Sequence, residues 1–279
     1  MSRHAEIPPE SSQIAIAQFA PEADAVANLA TVAGLVHMAA SRGARLVVLP
    51  EYSSYFATQL GADFVEAAQP LGGPFADGIR ELARSERVHI VIGVVEKIDD
   101  PTRFSNTLVA VDPAGEIVAM YRKLHLYDAF GESESTWVKP GDIEDPELFD
   151  FDGFRVGLQT CYDLRFPEVT RRLVDAGATL VAVPSEWVRG PLKEHHWRTL
   201  VVARALENTL YVAAADHAPP IGVGNSMIVD PMGVEIATVG EIADVATAAI
   251  SPGRVAQVRA LNPALELRRF AVVPRENAR

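Results

Sequence analysis

Cysteine is almost missing from this 279-residue chain, which has only Cys161. A single thiol can form no internal disulfide and no zinc site built on several cysteines, and it fits a reducing compartment. Positive charge is also short, with 25 Lys and Arg against 37 Asp and Glu and a net charge of −12. Phosphate backbones are bound by clustered cations on a basic domain, so DNA and RNA are excluded as expected partners. Long apolar runs are missing too. The stretch at residues 14–20 is interrupted by Gln18 and is far shorter than the roughly 20 residues of a membrane-spanning helix. The N-terminal MSRHAEIPPESS is polar and carries prolines, unlike an export signal. A cytoplasmic protein with no membrane partner is expected. No tandem repeat, low-complexity tract or Gly/Ser-rich linker marks a domain boundary.

What is present is ordinary for a soluble globular chain: 48% hydrophobic and 22% charged residues. At about 150 residues per domain the length suggests two domains, but α/β folds often keep this length as one. Short apolar runs alternate with stretches of helical periodicity. Residues 13–19 and 46–49 read as buried strands, and 23–41 between them as a helix stopped by Arg42-Gly43. A helix at 75–87 precedes a β-branched run at 88–95, and strands at 108–111 and 117–121 flank the turn Asp112-Pro113-Ala114-Gly115. A strand at 154–159 leads to Cys161, then a helix at 167–176, a strand at 179–183, a long helix at 192–208 and a strand at 210–215. The last third, 226–229, 235–239 and 246–250, reads as consecutive strands in a meander. This order indicates one layered α/β domain with a mixed sheet.

Three chemically useful residues sit where strands stop. LVVLP runs into Glu51, the strand at 117–121 into Arg122-Lys123, and that at 154–159 into Thr160-Cys161. Ligands of α/β sheets collect at carboxyl ends of strands, so a carboxylate, an amine and a thiol can converge there. Each has a plainer reading: Cys161 as a small core hydrophobe, Glu51 as a solvated loop charge, Lys123 as a surface lysine. Together they form a nucleophile needing a base, a base, and a cation able to hold an oxyanion.

The segments LPEYS around Glu51, YRKLHLYD around Lys123 and GLQTCYDLRFPE around Cys161 resemble, in order, the three signature segments of the nitrilase superfamily of carbon–nitrogen hydrolases. PSEWVRGPLKEHHWRTLVVARALENTLYVAAAD and GNSMIVDPMG resemble its later segments, so the likeness spans about residues 14–250. Cys-Tyr-Asp-Leu-Arg-Phe-Pro-Glu is similar to the amidase branch that includes omega-amidase and the amidases acting on deaminated glutathione; true nitrilases show Cys-Trp-Glu. The resemblance implies a Glu-Lys-Cys triad, with Glu51 as general base, Lys123 and the Tyr162 N–H as oxyanion holders and Cys161 as the acylated nucleophile. It also implies a second glutamate, Glu134 rather than Glu132, although the loop lacks the aromatic or threonine that often precedes it. The fold implied is a four-layer αββα sandwich with its core at about 13–255, dimerising to αββααββα, and a C-terminal arm at about 256–279 that extends over the partner. No cofactor and no metal are implied.

Specificity is less legible. Arg165 invites two readings: an ion-pair brace with Asp163 and Glu168, or a receptor for a substrate carboxylate. SEWVRG should line the pocket with Glu186 and Trp187, where a substrate-facing Glu186 would disfavour an anionic acyl group; the plain alternative is a salt bridge between Glu186 and Arg189. His195 and His196 are expected at an interface or core edge, His217 at the pocket rim, and His125 in local packing. The expected reaction is hydrolysis of a small linear amide, a small-molecule substrate, to carboxylate and ammonia. The alternatives are an N-carbamoyl amidohydrolase, whose relatives usually have Asn in place of Tyr162, a nitrilase, or a non-catalytic interaction protein on the same fold.

Overall fold

Strands buried on both faces are apolar at every position, and among the described residues four strands, at 46–48, 180–184, 211–215 and 227–229, have this pattern. The computed structural model describes residues 10–275. Its first half holds β1 (Ser12–Gln18), α1 (Ala25–Ser41), β2 (Leu46–Val48), α2 (Ala62–Ala67), α3 (Pro74–Glu86), β3 (His89–Glu96), β4 (Ser105–Val111) and β5 (Ile117–Arg122). The second half holds β6 (Leu148–Phe151), β7 (Phe154–Leu158), α4 (Pro167–Asp175), β8 (Leu180–Pro184), α5 (Lys193–Asn208), β9 (Tyr211–Ala215), β10 (Met227–Val229), β11 (Glu235–Thr238), β12 (Asp244–Ile250) and α6 (Pro252–Leu261). Short 3-10 turns lie at Glu134–Thr136 and Cys161–Arg165.

The strands form two six-stranded sheets, ordered β12-β1-β2-β3-β4-β5 and β11-β10-β9-β8-β7-β6. Each has three parallel strands at its heart, β1-β2-β3 and β7-β8-β9. The period-2 alternation of side chains distributes them between layers. In β1, Ile14 and Ile16 enter the core between the sheets, while Ala15 and Ala17 face Val32, Val36 and Ile79 of α1 and α3. In β8, Leu180 and Ala182 enter the same inter-sheet core, while Val181 and Val183 meet Leu173, Trp197 and Val201 of α4 and α5. The result is the expected αββα sandwich. Each fully buried Val, Leu or Ile contributes about 1.5–3 kcal/mol, so the layers are held chiefly by apolar burial.

Local signals explain the borders. Asp24 caps α1 by accepting from the Val26 and Ala27 N–H groups, and Gly43 at φ 85° turns the chain away after it. Pro167 sits in the first turn of α4. Three expectations need correction. The last strands are not a meander: β10 and β11 form a hairpin on one sheet, whereas β12 crosses to the other and pairs antiparallel with β1. Strand β6 and helix α2 were not foreseen, being short and weakly patterned. Residues 256–261, assigned to an arm, belong to α6, whose Val255 and Val258 are buried against the core; residues 276–279 of that arm lie outside the described residues.

Candidate active site

Lys123 directly follows β5, Glu51 and Cys161 come three residues after the ends of β2 and β7, and the two sheets bring those ends together. The Lys123 Nζ donates to Glu51 Oε1 and to Glu134 Oε1, both at 3.0 Å. Asn106, from the opening of β4, donates its Nδ2 to Glu51 Oε1 at 2.6 Å and to Glu134 Oε1 at 3.3 Å. Tyr52 donates its hydroxyl to Glu134 at 2.7 Å, and the Tyr127 N–H donates to the other Glu134 oxygen at 2.5 Å. Glu134 is therefore the second carboxylate on Lys123; Glu132 is exposed on the cavity wall. The Cys161 thiol donates to the Glu186 carbonyl at 3.2 Å, and the Glu186 N–H donates to Glu51 Oε2 at 2.7 Å. The backbone of one residue, Glu186, thus ties the thiol to the carboxylate.

Glu51, Glu134, Lys123 and Cys161 are all buried. A buried ammonium is unfavourable alone; burial pulls the Lys123 pKa down, but Glu134 and Glu51 override that and hold it well above the usual value. Burial raises Glu51, and Glu134 adds to it, while Lys123 and Asn106 oppose. Burial followed by the Glu51 charge pushes Cys161 well above the usual thiol range, so the resting sulfur is protonated. The arrangement is a neutral thiol beside a carboxylate whose proton affinity has been raised, with a fixed cation at hand. That is the equipment of a proton relay to and from an attacked carbonyl group.

Backbone geometry presents the sulfur. Cys161 opens its 3-10 turn at φ 45°, in the left-handed region. Such a conformation costs a non-glycine residue about 1–3 kcal/mol. Tyr162 is the next residue of that turn, so its N–H has no acceptor within the turn and is available to an anion. On the far side, a Cβ on Gly93 of β3 would lie 2.6 Å from the Glu51 Cα, so only glycine lets the chain pass behind the carboxylate.

Tyr162, Arg165, Glu186 and Trp187 all line the cavity above the thiol. Three sequence readings are corrected. Arg165 makes no brace: Asp163 instead accepts from the Tyr121 hydroxyl at 2.6 Å and the His125 N–H at 3.2 Å, and Glu168 is exposed. The Arg165 guanidinium lies 5.0 Å from the centre of the Trp187 ring and 3.3 Å from His196 Nδ1. Glu186 is not paired with Arg189, which reaches Glu241 at 3.8 Å; its Oε1 is buried without a hydrogen-bond partner among the described residues. Burial, then the Glu51 charge, raises the Glu186 pKa well above the carboxylate range. His217 is not at a rim: it is fully buried, its Nε2 2.6 Å from the Glu51 carbonyl. His195 is exposed, and His125 stacks on Phe166 at 3.7 Å, in the local packing expected for it.

Asn106, Tyr52, Tyr127, Asp216 and Lys193 were missed by sequence reasoning. Asn106 had a signal, a polar Ser-Asn-Thr opening an otherwise apolar strand. Asp216, which accepts from the Trp187 N–H at 2.6 Å, and Lys193 had none.

The chain is similar to known proteins over most of its length. The Carbon-nitrogen hydrolase family matches residues 13–260. A deaminated glutathione amidase of Escherichia coli O157:H7 is 42% identical over 92% of this chain and 97% of its own length. The deaminated glutathione amidase of Mus musculus is 33% identical over 92% of this chain and 83% of its own. Among solved structures, the C. elegans NitFhit protein superposes with a TM-score of 0.85 at 30% identity, over 94% of this chain and 66% of that longer one. An amidase from Nesterenkonia sp. AN1, in a form with the acetamide moiety of fluoroacetamide added covalently at its active-site cysteine, superposes with a TM-score of 0.75 at 25% identity, over 95% and 100% of the two chains. The chain belongs to the carbon–nitrogen hydrolase family of the nitrilase superfamily and is an amidase-type hydrolase of non-peptide C–N bonds.

Proposed function

We propose that the protein hydrolyses a small linear amide through a thioester on Cys161. Glu51 takes the thiol proton as the sulfur attacks the carbonyl carbon, and the carbonyl oxygen becomes an oxyanion held by the Lys123 ammonium and the Tyr162 N–H. Glu51 then passes that proton to the leaving nitrogen, the C–N bond breaks and ammonia departs. A water molecule gives a proton to Glu51 and attacks the thioester; the C–S bond breaks, the carboxylic acid leaves, and the proton returns to sulfur. Glu134 positions Lys123, and Asn106 fixes Glu51.

The observation that carries this reading is Lys123, buried and bonded to both Glu51 and Glu134 beneath a cavity that Cys161 lines. An oxyanion appearing beside that ammonium meets a charge already desolvated and fixed, the condition under which such a contact lowers a barrier most. The names of the relatives make deaminated glutathione one candidate to test.

Ammonia release from a panel of amides, carbamoyl compounds and nitriles, run beside Cys161→Ala, tests the proposal. We expect turnover confined to amides, lost by about 10³-fold or more in the variant, with an acyl adduct on the wild-type protein in intact-mass spectra. Turnover that survives loss of the thiol overturns it, and preferential release from carbamoyl compounds or nitriles favours those alternatives. The homodimer and its arm belong to the same proposal.

A further inference from the structure

Asp216 follows β9 directly, is fully buried, and has no part in the proposed reaction. Both sheets fix its main chain. Its N–H donates to Ser226 Oγ at 2.9 Å, and that hydroxyl donates to Gln18 Oε1, at the end of β1, at 2.7 Å. Its Oδ2 is buried without a hydrogen-bond partner among the described residues. Burial raises its pKa well above the usual carboxylate range, against the pull of the Trp187 and His217 N–H groups, so the group is held as a neutral acid. Such a burial is unfavourable, and the contact made by the other oxygen has to offset it.

That oxygen, Oδ1, accepts from the Trp187 N–H at 2.6 Å. The donor belongs to the Glu186–Trp187 peptide, whose carbonyl oxygen is the one that accepts from the Cys161 thiol at 3.2 Å. A single planar unit therefore has the Asp216 carboxyl group at its N–H and the nucleophile at its C=O. No sheet pairing supplies this restraint. The ladder between β8 and β9 continues to Ser185, whose N–H donates to the Ala215 carbonyl at 2.8 Å. There it ends: the His217 carbonyl accepts from the Gly224 N–H, and the Trp187 N–H turns to a side chain. Turning this peptide would swing its two ends in opposite directions, so an acceptor that pins the N–H also aims the oxygen. Hydrogen bonds in series polarise one another in a dry interior, so the same acceptor makes that oxygen hold the thiol more strongly.

We propose that Asp216 is a positioning residue for the nucleophile: through the Glu186–Trp187 peptide it aims the Cys161 thiol and strengthens the hydrogen bond that holds it. Asp216 does not line the cavity, and it acts only through that peptide. The role rests on the amidase reading above, in which Cys161 attacks the amide. Each turnover then starts from one sulfur orientation, and a reacting atom misplaced by about an ångström costs on the order of 10²-fold in rate.

Cys161 is the only thiol of the chain, so the S–H stretching band in its infrared spectrum reports this one bond. Asp216→Leu keeps the shape and removes the acceptor, and the band should move to higher wavenumber, the direction of a weaker hydrogen bond. With it kcat should fall about 10- to 100-fold while KM changes by less than about threefold. Asp216→Asn keeps a neutral carbonyl oxygen for the Trp187 N–H, so its band should stay in place and its kcat within about threefold of the wild type. A carboxyl group that merely satisfies a buried N–H would give a leucine variant of lower melting temperature with the band and kcat of the wild type, and that result overturns the proposal. An asparagine variant that behaves like the leucine variant overturns it as well. If Asp216→Leu does not fold, the smaller Asp216→Val takes its place. The band is read without turnover: a shift in the leucine variant while the wild type hydrolyses no amide would sustain the positioning role and overturn the amidase reading.

Discussion

At Glu51, Glu134 and Lys123, two carboxylates and one ammonium share a dry volume, and each is tolerable only because the others are present. Removing one charge from such a set leaves another unpaired, which costs more than the pair itself contributes. Glu51→Gln keeps the size and an acceptor for Asn106 but cannot carry the thiol proton. We expect kcat to fall by about 10²–10⁴-fold with the far-UV spectrum unchanged; normal turnover would remove Glu51 from its role as base. His217 makes a second prediction, on stability. Burial lowers its pKa from 6.5 to about 4, so between those values the unfolded chain binds a proton that the folded chain refuses. Its contribution is present above pH 6.5 and is lost as the pH falls, reaching about 3 kcal/mol at pH 4. Denaturant unfolding of His217→Gln across pH 7 to 4 should show a shallower acid loss than the wild type; identical slopes would contradict it.

Strand ends and turns are where much of this was readable. Glu51, Lys123 and Cys161 each follow an apolar run that must be a strand, and an abrupt change from apolar to reactive residues is a local property of the chain. The doubly buried strands β1 and β8 were legible for the same reason. Asp216 and Lys193 were not, because the groups that give them meaning, the Trp187 N–H and the ring of Tyr127, are 29 and 66 residues away in sequence. Strand β12 was read as a meander partner because its sequence carries no mark of which sheet it joins; that choice is made by pairing with β1. Gly93 belongs to this level as well. A methyl group there would push on the Glu51 backbone, so Gly93→Ala should lower kcat at least about 10-fold and stability by about 1–3 kcal/mol. Thermal melts and ammonia assays of the same preparation check both; a fully active, equally stable variant would refute the close approach.

For the whole molecule, the segment after α6 is the part with the least internal support. Leu267, Phe270 and Val273 are exposed there, Phe270 at 90%. Three apolar side chains on one short segment fit a surface that is covered by something, and in our proposal it is a second copy of the chain. Deleting residues 262–279 should lower the mass seen by light scattering from dimer to monomer, and an undiminished mass would count against the arm. Among the described residues no helix is long and apolar enough to cross a membrane. The net charge of −12 adds nothing about the site, where Lys123 meets Glu51 and Glu134 out of water.

The sequence by itself determined the layered α/β architecture and the three chemical residues, since apolar periodicity and a reactive residue at a strand end are encoded within a few neighbouring positions. Only the tertiary structure decided that Asn106 meets Glu51, that Arg165 faces the cavity instead of bracing a turn, and that Lys193 lies there against the Tyr127 hydroxyl. Burial and ionic partnership are relations between distant segments, and they exist only once the two sheets have closed on each other.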